Sequence, residues 1–152
     1  MHEYQVWLED TLIGTTFLEK ADPPMGSVYG RIMPIIKDFG YDYVKQFYAS
    51  RQIGFDDFPD VQLITTRTTG FLKVITPEGK TIESLGNQIC AVGNDEFEVS
   101  LEGVGYPFYA EEFPKHCADY ERFYTDWEKN RYRGTVNIWS KTYFLKNIKP
   151  EN

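Results

Sequence analysis

The sequence predicts an α+β fold, a single domain with a mostly antiparallel sheet of about seven or eight strands and two helices. Three observations carry this expectation. Most segments are short, alternate apolar with polar residues or are β-branched, and are bounded by turn residues. Consecutive strand-like segments are joined by few residues, which favours antiparallel pairing over an alternating βαβ plan. Only two stretches space their apolar residues by three and four. The chain of 152 residues is about one domain's length.

The elements follow in order. Tyr4, Val6 and Leu8 share one face, with Glu3, Gln5, Trp7 and Glu9 on the other. Asp10 punctuates, and Thr11 to Leu18 resumes a strand composition, so this region reads as a hairpin. Asp22-Pro23-Pro24-Met25-Gly26 reads as a shaped loop, because proline lacks a donor and glycine permits positive φ. Ile35 to Arg51 reads as a helix with Ile36, Phe39, Tyr43 and Phe47 as its stripe, unless Gly40 delays its start to Tyr41. Phe55 to Pro59 reads as a turn, and Val61 to Thr68 as a strand.

Phe71 to Ile75 and Thr81 to Ser84 read as a hairpin around Pro77-Glu78-Gly79-Lys80. Gln88 to Val92 is a short apolar strand, and Gly93 to Glu96 turns the chain. In Phe97 to Val104, Phe97, Val99 and Leu101 point one way, and Glu96, Glu98, Ser100 and Glu102 the other. That is the pattern of an antiparallel strand with one solvated side. Pro114 opens a helix to about Glu128, with Cys117, Tyr120, Tyr124 and Trp127 as its stripe and an Arg122–Asp126 pair outside. Gly134 breaks the chain, Thr135 to Leu145 reads as a last strand, and Lys146 to Asn152 as a frayed tail.

Composition excludes some function classes. A hydrophobic content of 41%, with 16% aromatic residues, is too rich for disorder. A formal charge of −7 argues against a general nucleic-acid binder, which needs a basic face to neutralise phosphates. Met1 to Trp7 has neither a basic start nor an apolar run of signal-peptide type, and no stretch approaches a membrane span. A cytoplasmic location and no membrane partner are therefore expected.

Catalytic and metal motifs are missing. His2, His116, Cys90 and Cys117 form no CxxC or HxxxH pattern, and adjacent His116 and Cys117 diverge by about 100° on a helix. Asp22, Asp56, Asp57 and Asp60 do not fit a calcium-loop spacing. Gly26-Ser27-Val28-Tyr29-Gly30-Arg31 lacks the ending of a phosphate loop. No metal, no cofactor and no catalytic residue is assigned. Cys90 and Cys117 read as two reduced thiols, with a single disulfide left open. The pairs Asp56/Asp57, Glu96/Glu98 and Glu111/Glu112 read as solvated faces. The loop Gly103-Val104-Gly105-Tyr106-Pro107-Phe108-Tyr109 either lines a groove or plugs a strand exit with aromatic packing.

Charge distribution is more informative. From Asp95 to Glu128 ten acids face two bases, a local charge of −8, whereas residues 129–152 carry +5. Acids speed the approach of a basic partner and aromatic anchors hold it. The candidate partner-binding residues are Asp95, Glu96, Glu98, Glu102, Tyr106, Tyr109, Glu111, Glu112, Asp119 and Asp126.

Three stretches look familiar: Asp22-Pro23-Pro24-Met25-Gly26 with Tyr29-Gly30-Arg31; Leu72 to Lys80; and Leu101 to Pro107 with Phe113-Pro114-Lys115-His116. Together they resemble small bacterial proteins, some of which look like immunity proteins of toxin-delivery loci. The resemblance implies a bacterial origin and a neutralising role toward a partner, and it transfers no site residue. The expected function is therefore binding of a basic toxin domain through the acidic, aromatic-rich segment. The alternative is a sugar-like small-molecule binding module, or a small enzyme, with an aromatic groove.

Overall fold

The computed structural model describes residues 1–131. The expected break at Gly134, the strand Thr135–Leu145 and the tail Lys146–Asn152 lie outside the described residues. The fold is α+β, built from two antiparallel sheets. Ten strands and three helices occur among the described residues, more of each than the sequence reading counted.

The alternating start forms the expected hairpin, β1 (Tyr4–Leu8) with β2 (Thr11–Thr16). Tyr4, Val6 and Leu8 are buried, as their spacing requires. β1 also pairs with β8 (Leu72–Ile75), and β2 with the two-residue β5 (Met33–Pro34), giving a sheet in the order β5-β2-β1-β8. The segment Thr81 to Ser84 adds no strand and contributes a single bridge, Thr81 to Ile75.

The larger sheet runs β3-β4-β10-β9-β7-β6. Its members are β3 (Lys20–Asp22), β4 (Ser27–Arg31), β6 (Phe55–Phe58), β7 (Leu63–Thr66), β9 (Gly86–Val92) and β10 (Glu96–Glu102). Three readings need correction here. Phe55 to Pro59 is not a turn: its first four residues are the edge strand β6, paired only with β7. The strand expected from Val61 is shorter, because Pro59–Val61 is a turn of 3-10 helix. The segment around Asp22 to Gly26 is indeed a shaped turn, yet it joins two paired strands, β3 and β4, that the sequence did not signal.

One hairpin belongs to both sheets. Its arms are β2 continuing into β3, and β4 continuing into β5. Both arms bend at Phe17–Glu19 and Ile32, where the ladder changes sheet. Leu18 takes a left-handed φ of 46° there and is fully buried. Side chains satisfy the backbone that the bend leaves unpaired. The Thr16 hydroxyl accepts from Leu18 N–H at 3.2 Å, and the Glu19 carboxylate accepts from Arg31 N–H at 2.8 Å. Gly30 lets the two arms approach. A Cβ at this position would lie 2.8 Å from both the Leu18 Cα and the Thr16 Oγ1. Gly30→Ala is therefore expected to destabilise the fold by about 1–3 kcal/mol through overpacking, read as a lower urea midpoint with an unchanged slope.

The inner faces of both sheets meet in one core that includes Val6, Leu8, Ile64, Ile89, Val99 and Leu101. Fully burying an aliphatic side chain of this kind stabilises by about 1.5–3 kcal/mol. Helix α1 (Tyr41–Ser50) closes that core against β7 and β9. It begins at Tyr41, the later of the two expected starts. Its buried residues are Tyr41, Val44 and Tyr48, so the stripe is rotated from the expected Tyr43 and Phe47, which flank it half-buried.

α1 is tied to the edge strand by charge. Asp57 accepts from the Tyr41 hydroxyl and pairs with the Lys45 ammonium at 2.7 Å. The Lys45 hydrogen bond, then that of Tyr41, holds the Asp57 carboxyl below its ordinary pKa, and Asp57 raises that of Lys45. The sign follows from linkage. A carboxyl with a lowered folded-state pKa stabilises above its unfolded pKa, and that contribution is lost as pH falls through the folded value. The raised Lys45 loses its contribution as pH rises through its own folded value. Thermal unfolding followed across pH should show Asp57→Asn with a shallower acid limb than the wild type. Superimposable acid limbs would remove this cluster as a source of pH dependence.

Helices α2 (Phe108–Glu112) and α3 (Pro114–Arg131) complete the described chain. The first was not expected, and the second extends past Glu128. α3 packs against β3 and the turn after it, and buries no residue fully. Its expected stripe faces inward only in part: Cys117, Tyr120, Tyr124 and Trp127 are half-buried. The expected Arg122–Asp126 pair is replaced by Arg122 with Asp119 at 3.3 Å. No described helix is long and apolar enough to cross a membrane.

Candidate binding face

The outer face of the larger sheet carries the exposed polar side chains of its six strands. Register places its side chains in rows. Glu98 lies opposite Cys90 on one side and Arg31 on the other, and Cys90 opposite Thr65. Ser100 lies between Gln88 and Tyr29, and Tyr29 opposite Lys20. At one corner Phe58, Leu63 and Val92 form an apolar row that ends on Glu96. The alternation of β10 thus does what its sequence indicates: Phe97, Val99 and Leu101 enter the core, and Glu96, Glu98, Ser100 and Glu102 face out.

Across this face runs an open groove of about 850 Å³. Its carboxylates are Asp22, Glu98 and Glu102. Ser27, Tyr29, Ser100 and Gln88 supply its polar floor, while Met25 and Leu85 form its rim at 67% and 88% exposure. Lys20 reaches in from the side, 5.7 Å over the Tyr29 ring, and pairs with Glu98 at 2.8 Å. The Glu98 hydrogen bond raises the Lys20 pKa. Glu102 and Asp22 have no ion pair among the described residues. The groove can therefore hold a cationic surface, with Glu98 already half-compensated.

The acidic segment is continuous in sequence but not in space. Glu96, Glu98 and Glu102 stand on the sheet, and Asp95 sits in the turn before them, its carbonyl accepting from Arg31 at 3.1 Å. Glu111 is exposed on α2, and Asp126 is exposed on α3. Asp119 is held by Lys115 at 2.6 Å, and that hydrogen bond lowers its pKa. Glu112 turns inward: it accepts from the Tyr4 hydroxyl at 2.9 Å and lies 3.4 Å from the His2 ring.

The loop from Gly103 to Tyr109 plugs the strand exit by aromatic packing. Tyr109 is fully buried and its hydroxyl donates to the Ser27 carbonyl at 2.8 Å. Burial pushes its pKa well up. Tyr109 therefore belongs to the core rather than to a docking surface. Tyr106 is 56% exposed, but its hydroxyl donates to the Pro23 carbonyl at 2.9 Å and ties the loop to the β3–β4 turn. Val104 N–H donates to the Gly26 carbonyl at 2.9 Å beside it. Gly26 has φ 63°, and a Cβ there would lie 2.6 Å from the Val104 carbonyl oxygen.

Sequence reasoning missed Asp22 as a member of this face. Its local sequence reads as an irregular loop, and only the β3–β4–β10 register sets it across Ser27 from Glu102. Cys90 and Cys117 are both free thiols, on β9 and α3. Among the described residues, no group of three His, Cys, Asp or Glu side chains is arranged to hold a metal ion. No family model, curated protein or solved structure matches the chain.

Proposed function

We propose that this protein binds a basic protein partner across the outer face of the larger sheet, in the manner of an immunity protein that neutralises a toxin domain. The observation that carries this reading is the groove of about 850 Å³ lined by three carboxylates, Asp22, Glu98 and Glu102, of which only Glu98 is paired, with Lys20 at its side, among the described residues. Its acids lie on paired strands of a sheet packed against the core, so a partner meets a preorganised surface and the entropic cost of ordering is small. Met25, Leu85 and the Phe58–Leu63–Val92 row supply apolar contact beside the acids. A cytoplasmic location belongs to the same proposal.

A sugar-like ligand or a small enzyme draws less support. The groove is open, its only ring is Tyr29, and one of its three carboxylates is held by Lys20. In the loop that suggested an aromatic groove, Val104 and Tyr109 are buried in the core, and the Tyr106 hydroxyl is tied to the Pro23 carbonyl.

The test is co-expression with the product of the adjacent gene, followed by binding measured at low and high salt. Complex formation that is tightest at low salt, where charge attraction is least screened, is expected. Absence of binding at low salt overturns the reading.

A further inference from the structure

The groove continues round Asp22 and Tyr29 into a second depression, a cleft of about 330 Å³ between β3 and α3. Asp22 and Tyr29 form one wall, and His116, Asp119, Tyr120 and Phe123 the other. We propose that this cleft receives the guanidinium of an arginine side chain presented by the basic partner. The inference rests on the function proposed above and names the group that the partner inserts.

Four features argue for that chemistry. First, Asp22 is half-buried and has no ion pair among the described residues, so its carboxylate is available to accept two parallel hydrogen bonds. Second, the neighbouring cations are already committed. Lys20 is on Glu98 at 2.8 Å, and Lys115 and Arg122 are on Asp119 at 2.6 and 3.3 Å. Third, three rings face the cleft: Tyr29 and Tyr120 with Phe123, which α3 holds 45% exposed. A flat, weakly hydrated guanidinium stacks on such rings and forks onto a carboxylate, whereas an ammonium does neither as well. Fourth, the His116 ring is fixed, because Nε2–H donates to the Leu18 carbonyl at 2.7 Å. That nitrogen is spent within the fold, and the held ring forms part of the cleft wall.

The test is a two-dimensional amide NMR titration with N-acetyl-arginine amide, and in parallel with the uncharged isostere N-acetyl-citrulline amide. Saturable shifts at Asp22, Tyr29, Tyr120 and Phe123 are expected with the arginine probe. Asp22→Asn should weaken its affinity about tenfold or more, the scale of a hydrogen bond to a charged group. Phe123→Ala, at an exposed position, should weaken it while leaving the spectrum folded. Equal responses to the two probes, or an Asp22→Asn protein that binds the arginine probe as the wild type does, would overturn the proposal. Neither measurement needs the protein partner. Arginine binding in the cleft with no complex at low salt would therefore sink the functional reading alone. A complex that is insensitive to Asp22→Asn would sink the cleft alone.

Discussion

Tyr109→Ala is expected to lower the stability of the fold by about 3–5 kcal/mol, the range for removing a large aromatic from a core. The ring has no exposed surface and sits 5.2 Å from Phe113 and 5.1 Å from Tyr106, centroid to centroid. Its removal would open a cavity where α2 meets the β3–β4 turn. Tyr109→Phe isolates the hydroxyl. It deletes the bond to the Ser27 carbonyl and should cost about 1 kcal/mol. Both are read by urea unfolding. The same pair separates packing from recognition: Tyr109→Phe should bind the partner as the wild type does. A Tyr109→Ala protein as stable as the wild type would show that the loop does not seal the core.

Charge reversal on the sheet should have the largest effect on association. Glu96 and Glu102 are exposed, face the same way as Glu98, and have no ion pair among the described residues. Glu98 is best left intact, because its reversal would set a lysine against Lys20 and Arg31. The double variant Glu96→Lys, Glu102→Lys is expected to slow association with the basic partner about tenfold or more at low salt. Its stability should stay within about 0.5 kcal/mol of the wild type, as exposed substitutions usually do. The difference should shrink as salt rises. Stopped-flow association rates that match the wild type would remove this strand from the interface.

What the sequence displayed, and what it hid, divides by the range of the interactions. β1 and β10 were legible because each has one wet and one dry face, which writes a period of two into the chain. β6 was not, because Asp56 and Asp57 are poor strand formers on average. An edge strand tolerates them, here with Arg67 on Asp56 at 2.8 Å and Lys45 on Asp57. The start of α1 at Tyr41 was one of two readings, whereas its buried face depended on where β7 and β9 lie. β3, β4 and β5 are short, with Gly30 inside β4 and Pro34 inside β5, so their pairing rather than their local sequence defines them.

The candidate face follows the same rule. Glu98 and Glu102 could be placed outward from local alternation alone. Asp22 joins them through the β3–β4–β10 register, and β4 and β10 are about seventy residues apart in sequence. Tyr109 looked like an anchor beside an acidic run, because nothing local distinguishes an aromatic residue that docks from one that fills a hole. The hydrogen bond to Ser27, 82 positions away, makes that distinction.

The bent hairpin from Thr11 to Pro34 has a consequence for how this molecule comes apart. Its arms supply strands to both sheets, so the chain that edges one layer also edges the other and the two are linked through a single ladder. The two layers are therefore expected to open as one cooperative unit, with amide exchange in β1 and β10 reporting the same global opening. On that expectation the acidic face comes apart only together with the two described sheets.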